Sequence, residues 1–137
     1  MDTLDREILD VLRRDARRPY TEIAADLDVS EGTVRNRVES LVADGVIERF
    51  TVATSTGNVK AMVEVGVAVD TDSEALVDRM ADWAEVDFVW TVSGEADLVL
   101  VVDAADTASV NDLISRARGL EEVVSTKTRL ILDERIG

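Results

Sequence analysis

Apolar residues recur at helical spacing through the first third of the chain and in alternating runs through the rest, so two differently built halves are expected. Leu4, Ile8, Val11 and Leu12 mark one face of a first helix, which Arg17-Arg18-Pro19 is expected to end. Ile23, Ala24 and Leu27 mark a second, shorter helix, and Val34, Val38, Leu41 and Val42 fall at i, i+4, i+7 and i+8 on a third. Asp28-Val29-Ser30 breaks the last two, with Ser30 placed to cap the third helix and Gly45 to stop it. Two short helices joined by a tight break make a helix-turn-helix. Val46 to Val52, VIERFTV, is β-prone and is expected to form a wing strand beside them.

From Ala53 to Val59 the sequence ATSTGNV is small, polar and turn-prone, which divides the chain into 1–52, a linker 53–59, and 60–137. Ala61 to Val69 alternates strictly, with Val63, Val65, Val67 and Val69 on one face of a half-buried strand. Ser73 is expected to cap a helix carrying Leu76, Val77, Met80, Ala81 and Ala84. Phe88 to Val92 and Leu98 to Val102 read as strands joined through Ser93-Gly94-Glu95-Ala96. A helix with Val110, Leu113, Ile114 and Ala117 follows, ended by Gly119, and Val123 to Leu132 supplies the last strand. Strand, helix, strand, strand, helix, strand is the ferredoxin-like βαββαβ order, so the fold class is α+β. Its two helices cover one sheet face, and the Val-rich other face needs a partner, which argues for a homodimer.

The candidate chemistry sits on the third helix, away from its apolar stripe. Gly32, Asn36, Glu39, Ser40 and Ala43 point outward there, with Thr33, Arg35 and Arg37 on the flanks. A recognition helix enters the major groove of double-stranded DNA with its early residues leading, and Arg or Asn bonds base edges bidentately. Arg35, Asn36 and Arg37 are the candidate readers, with Ser30, Gly32, Thr33 and Ser40 around them and Arg49 placed to reach a phosphate. The plainer alternative is a solvated face of an ordinary amphipathic helix. Arg13, Arg14, Arg17 and Arg18 serve either phosphates or the C-terminal end of the first helix, and Glu31 is explained by the helix dipole.

Charge complicates the picture. Against 29 Asp+Glu stand 15 Lys+Arg, a formal net charge of −14. Residues 1–50 hold 8 arginines against 12 acids, net −4, and residues 51–137 hold 7 cations against 17 acids, net −10. Positive charge near DNA is therefore local, carried by a few arginines. A dispersed acidic surface with two lysines, Lys60 and Lys127, suits a very salty cytoplasm, where the Debye length is about 3 Å at molar ionic strength; an acidic protein of ordinary cytoplasm is the competing reading. Without cysteine or histidine the chain lacks disulfides, thiolate metal sites and the commonest catalytic base. No run is of membrane-spanning length and MDTLDREI is unlike a signal peptide, so a cytoplasmic protein without membrane contact is expected.

LDREIL at Leu4, GVI at Gly45, SGEADLVLVV at Ser93 and the closing VVSTKTRLIL together resemble the Lrp/AsnC (feast/famine) family of prokaryotic transcription regulators over nearly the whole chain. With this composition, the member would come from a halophilic archaeon. The resemblance implies a winged helix-turn-helix joined to a RAM-type ferredoxin-like domain that dimerises through its sheet and often assembles into octamers. It further implies no cofactor, and an amino acid or related metabolite bound between dimers as effector. Gly94 and Asp97 match the family's G-x-x-D turn at the effector pocket, which brings in Glu95 and Ala96 between them. Thr126 and Thr128 match polar strand positions lining the pocket from a neighbouring subunit. Read by themselves, Gly94 permits a positive-φ turn and Asp97 caps it. Ala96 departs from the aromatic residue that many members carry before the aspartate, which leaves a wider pocket, a differently selective one, or none. Two other functions stay open: an effector-independent architectural or autoregulatory DNA-binding protein, and an enzyme like the siroheme decarboxylases that resemble the family, although those rely on histidine.

Overall fold

A computed structural model describes residues 1–137 as two compact units, Met1–Ala53 and Thr54–Gly137. The first consists of α1 (Thr3–Arg14), α2 (Tyr20–Leu27) and α3 (Glu31–Ala43) around Ile8, Leu12, Ile23, Ala24, Val34 and Val38. The stripe on α3 closes with Leu41; Val42, turned off it by the helical period, is exposed. α1 and α3 each start where a side chain accepts from a free backbone N–H, whereas α2 starts at Pro19 without one. Asp2 caps α1 by accepting from the Asp5 N–H at 2.9 Å, and Ser30 Oγ caps α3 by accepting from the Thr33 N–H at 3.1 Å. Asp28 in the left-handed region (φ 55°) turns the chain between α2 and α3, and Gly45 (φ 74°) does so after α3.

Two expectations about this unit fail. α1 stops at Arg14, its cap Asp15 extended, and Pro19 does not end α1 but opens α2, where its fixed φ suits a helix start. Val46 to Val52 forms no strand: a β-ladder needs a second strand to receive its N–H and C=O groups, and none lies beside this segment in the chain. Ile47 packs against the three-helix core while Val46, Phe50 and Val52 are exposed.

In the second unit β1 (Val59–Val67), α4 (Ser73–Ala81), β2 (Val86–Thr91), β3 (Leu98–Ala104), α5 (Thr107–Arg118) and β4 (Val123–Leu130) make an antiparallel sheet of order β2-β3-β1-β4. The ferredoxin-like order is as expected. β1 starts at Val59, the last residue of the expected linker. Ala61, Val63 and Val65 of β1 with Leu98, Leu100, Val102 and Ala104 of β3 form a core with Leu76, Met80, Val110 and Leu113 from the helices. The alternation breaks after Val65. A bulge at Gly66/Val67 shifts the β1–β4 register and the strand ends at Val67, so Val69 is 90% exposed. Asp72, one residue before the expected Ser73, caps α4 by accepting from the Ala75 N–H at 3.1 Å.

Pairing parity sets the open face. Lys60, Met62, Glu64 and Gly66 of β1 lie opposite Asp103, Val101 and Val99 of β3 and Arg129, Lys127 and Ser125 of β4, with Phe88 and Trp90 of β2 beyond β3. That face is apolar at β2–β3 and charged at β4.

Candidate nucleic-acid interface and effector turn

Burial of Val34, Val38 and Leu41 turns Gly32, Asn36, Glu39 and Ser40 outward on α3. Asn36 and Ser40 make no side-chain hydrogen bond within the protein, so their donors and acceptors are open to a partner. At Gly32 an added Cβ would meet only Ser30 Oγ at 3.9 Å, so the fold itself does not demand glycine there. The Ser30 and Thr33 hydroxyls hydrogen-bond each other at 2.8 Å at the start of the helix. Arg49 is exposed on the irregular segment after α3 and forms no ion pair.

The two flanking arginines are not free. Arg35 pairs with Glu31 one turn earlier, and its guanidinium lies 5.8 Å from the centre of the Tyr20 ring. Glu31 therefore complements the helix dipole and also orients a candidate reader. Arg37 reaches back to α1 and donates to Asp2 at 2.5 Å and Asp5 at 3.2 Å. Hydrogen bonds from Arg37, and then from the Asp5 N–H, hold the Asp2 carboxyl below its ordinary range. A carboxyl lowered by folding contributes stability above its unfolded pKa and loses it as pH falls through the lowered value, so this contact stands at neutral pH and opens only in acid. Arg18 pairs with Glu22 at 3.5 Å and with Asp26. These pairings span 4 to 35 residues, and only the i,i+4 ones are readable from sequence.

The turn between β2 and β3 is built by its backbone. Gly94 has φ 110°, a conformation that favours glycine. The Asp97 N–H donates to Val65 O at 3.0 Å and the Val92 N–H to Asp97 O at 3.0 Å. Asp97 Oδ2 accepts from the Val67 N–H at 2.9 Å, at the bulge where the regular ladder fails. Asp97 thus ties the turn to β1.

A concavity of about 620 Å³ opens beside this turn, lined by Glu95, Ala96 and Thr126 together with Glu64, Gly66 and Lys127. Gly94, Asp97 and Thr128 do not line it. Thr126 borders the concavity of its own chain, and the expected contribution of Thr126 and Thr128 to a neighbouring subunit's pocket is a matter of assembly. Thr126 and Thr128 pair with Val65 and Val63, on the helix-covered face, and Thr126 Oγ1 accepts from Arg118 Nε at 2.9 Å. The polar side chains of β4 on the open face are Ser125, Lys127 and Arg129, one residue out of step, which the sequence reading missed. Strand periodicity groups them but does not say which set faces the helices.

The chain thus combines a three-helix unit exposing a polar face on its third helix with a ferredoxin-like unit carrying a concave turn. Residues 1–42 match the family model of the AsnC-type helix-turn-helix domain and residues 60–136 that of the Lrp/AsnC ligand binding domain. The chain is 35% identical over 133 residues to the HTH-type transcriptional regulator LysM of Sulfurisphaera tokodaii, covering 96% of this chain and 95% of that one. It is 34% identical to the HTH-type transcriptional regulator LrpA of Pyrococcus abyssi, with 99% of each chain covered. A Neisseria meningitidis transcriptional regulator, solved in complex with L-Met, shares the fold at TM-score 0.82 and 20% identity, covering 100% of this chain and 93% of that one. The protein belongs to the Lrp/AsnC family of transcriptional regulators.

Proposed function

We propose that the chain is a sequence-specific, amino-acid-responsive regulator that reads double-stranded DNA with α3. Arg35 and Asn36 contact base edges, Gly32 and Ser40 give close approach, and Ser30, Thr33 and Arg49 serve the phosphates. The outward polar face of α3, opposite Val34, Val38 and Leu41 and free of internal hydrogen bonds at Asn36 and Ser40, carries this reading. The test is fluorescence anisotropy on a duplex that the protein selects from random-sequence DNA. Asn36→Ala is expected to weaken it by about 1–3 kcal/mol, roughly 5- to 150-fold, with little effect on a scrambled duplex. Equal affinity of the variant and the wild type would sink the assignment.

The effector is an amino acid or related metabolite seated against the Gly94–Asp97 turn, without a cofactor. Glu95 lines the concavity with no partner of its own and suits a ligand ammonium, while Lys127 suits the carboxylate. Thr126 borders the concavity itself and Thr128 backs it from the helix side of the sheet. A homodimer forms through the open sheet face, where Phe88 and Trp90 are exposed, and further assembly to an octamer carries the effector response. The protein works in a salt-rich cytoplasm of halophilic type, and it acts by binding, not as an enzyme. Its relatives are named regulators, and no helix is long and apolar enough to cross a membrane.

A second reading, an effector-independent regulator, is favoured by Ala96 and by the engagement of Asp97 with the Val67 N–H. Thermal melts against pooled amino acids at millimolar concentration decide between them. A saturable rise in Tm supports the effector, and an unchanged Tm supports the second reading.

A further inference from the structure

Arg37 differs from its neighbours on α3 in where its charge is spent. At about 100° per residue it falls on the flank beside Val34, Val38 and Leu41, toward α1, whereas Asn36 and Ser40 face out. Its guanidinium meets two carboxylates, each of which accepts one hydrogen bond on either oxygen. Asp2 uses one oxygen to accept from the Asp5 N–H at 2.9 Å and the other to accept from Arg37 at 2.5 Å. Asp5 uses one to accept from the Asp2 N–H at 3.3 Å and the other to accept from Arg37 at 3.2 Å. The Asp5 side chain is 14% exposed and that of Arg37 36%. A phosphate contact by Arg37 would break this network and strand a largely buried carboxylate next to DNA.

We infer that Arg37 is a positioning residue for DNA recognition: it fixes α3 against the N-terminus of α1 through Asp2 and Asp5, and it touches neither bases nor phosphates. The apolar contacts of Ile8, Val34 and Val38 hold the two helices together but are non-directional. The three-residue polar clamp sets the rotation of α3 about its axis, and with it the direction in which Asn36 and Arg35 leave the protein. Of its two legs, the one to Asp2 (55% exposed) is open to screening, while the partly buried one to Asp5 is screened less and persists in salt that weakens a surface contact.

The inference rests on α3 being the recognition helix, and the test keeps the two apart. Binding to the selected duplex and to a scrambled one is measured across a salt series for wild type, Arg37→Gln, Asp5→Asn, the double variant and Asn36→Ala, with a thermal melt of each to confirm folding. A lost phosphate contact lowers the slope of log K against log salt by about 1. Arg37→Gln is expected to weaken the selected duplex about 3- to 10-fold with that slope unchanged and the scrambled duplex unaffected, a pattern that loss of stability alone does not give. Asp5→Asn should weaken binding likewise, and the double variant should be no worse than either single one. A slope reduced by about 1 in Arg37→Gln, or tighter binding by Asp5→Asn, overturns the inference alone. Undiminished binding by Asn36→Ala overturns the recognition-helix reading and this inference with it.

Discussion

Trp90→Asp is expected to leave the protein folded but monomeric, and to cost it nearly all affinity for a duplex carrying two half-sites. Trp90 and Phe88 stand side by side on the open face of the edge strand β2, 47% and 52% exposed, with ring centroids 6.0 Å apart. Behind them Val99 is nearly buried by the sheet itself, so the rings are the part of this face left for a partner to cover. A two-fold interface would bury four such rings. At about 25 cal/mol per Å² and roughly 100 Å² of exposed surface per ring, their burial is worth on the order of 10 kcal/mol before association costs. A carboxylate at position 90 removes two of the rings and places two like charges across the interface. Sedimentation equilibrium is expected to show the dimer dissociation constant raised more than about 100-fold. Since each chain carries −14, added salt should tighten the wild-type dimer by screening mutual repulsion. A Trp90→Asp variant that still sediments as a dimer would remove the open face from the interface.

What could be read in advance follows the range of the interaction. The stripe of α3 apart from Val42, the cap at Ser30 and the strand-helix order depend on residues a few positions apart, and the structure has them as read. The cap of α4 was missed by one residue, because Asp72 and Ser73 can both accept a hydrogen bond and only backbone geometry chooses between them. VIERFTV has the composition of a strand, but composition supplies no partner for its backbone. Which face Thr126 and Thr128 take is set by how β4 pairs with Val65 and Val63 of β1, some 60 residues away in the chain, and no local pattern states it. The candidate reader Arg37 was chosen for its side chain, and its partners Asp2 and Asp5 lie in the first turn of another helix. Local periodicity thus locates a surface, and long-range pairing decides which of its side chains are free to act.

The turn from Gly94 to Asp97 tests that distinction most directly, because it holds two carboxylates to which the structure gives different work. Asp97 accepts from the Val67 N–H at 2.9 Å, whereas Glu95 lines the concavity without a hydrogen bond or ion pair. Asp97→Ala is expected to cost about 1 kcal/mol through the lost hydrogen bond, lower Tm by several degrees, and abolish any amino-acid-induced rise in Tm by releasing the turn from β1. Asp97→Asn keeps an acceptor oxygen for Val67 and loses only the charge, so it should retain both stability and ligand response. Glu95→Gln should be as stable as the wild type and should lose the response, because the ammonium of the ligand then faces a neutral amide. The three variants form one experiment, read by thermal melts against the same amino-acid pool. If Asp97→Asn keeps full stability but loses the response, the ammonium belongs to Asp97 and the turn recognises its ligand through the residue that also holds it closed. If Glu95→Gln responds like the wild type, the concavity is not where the ligand's charge is read.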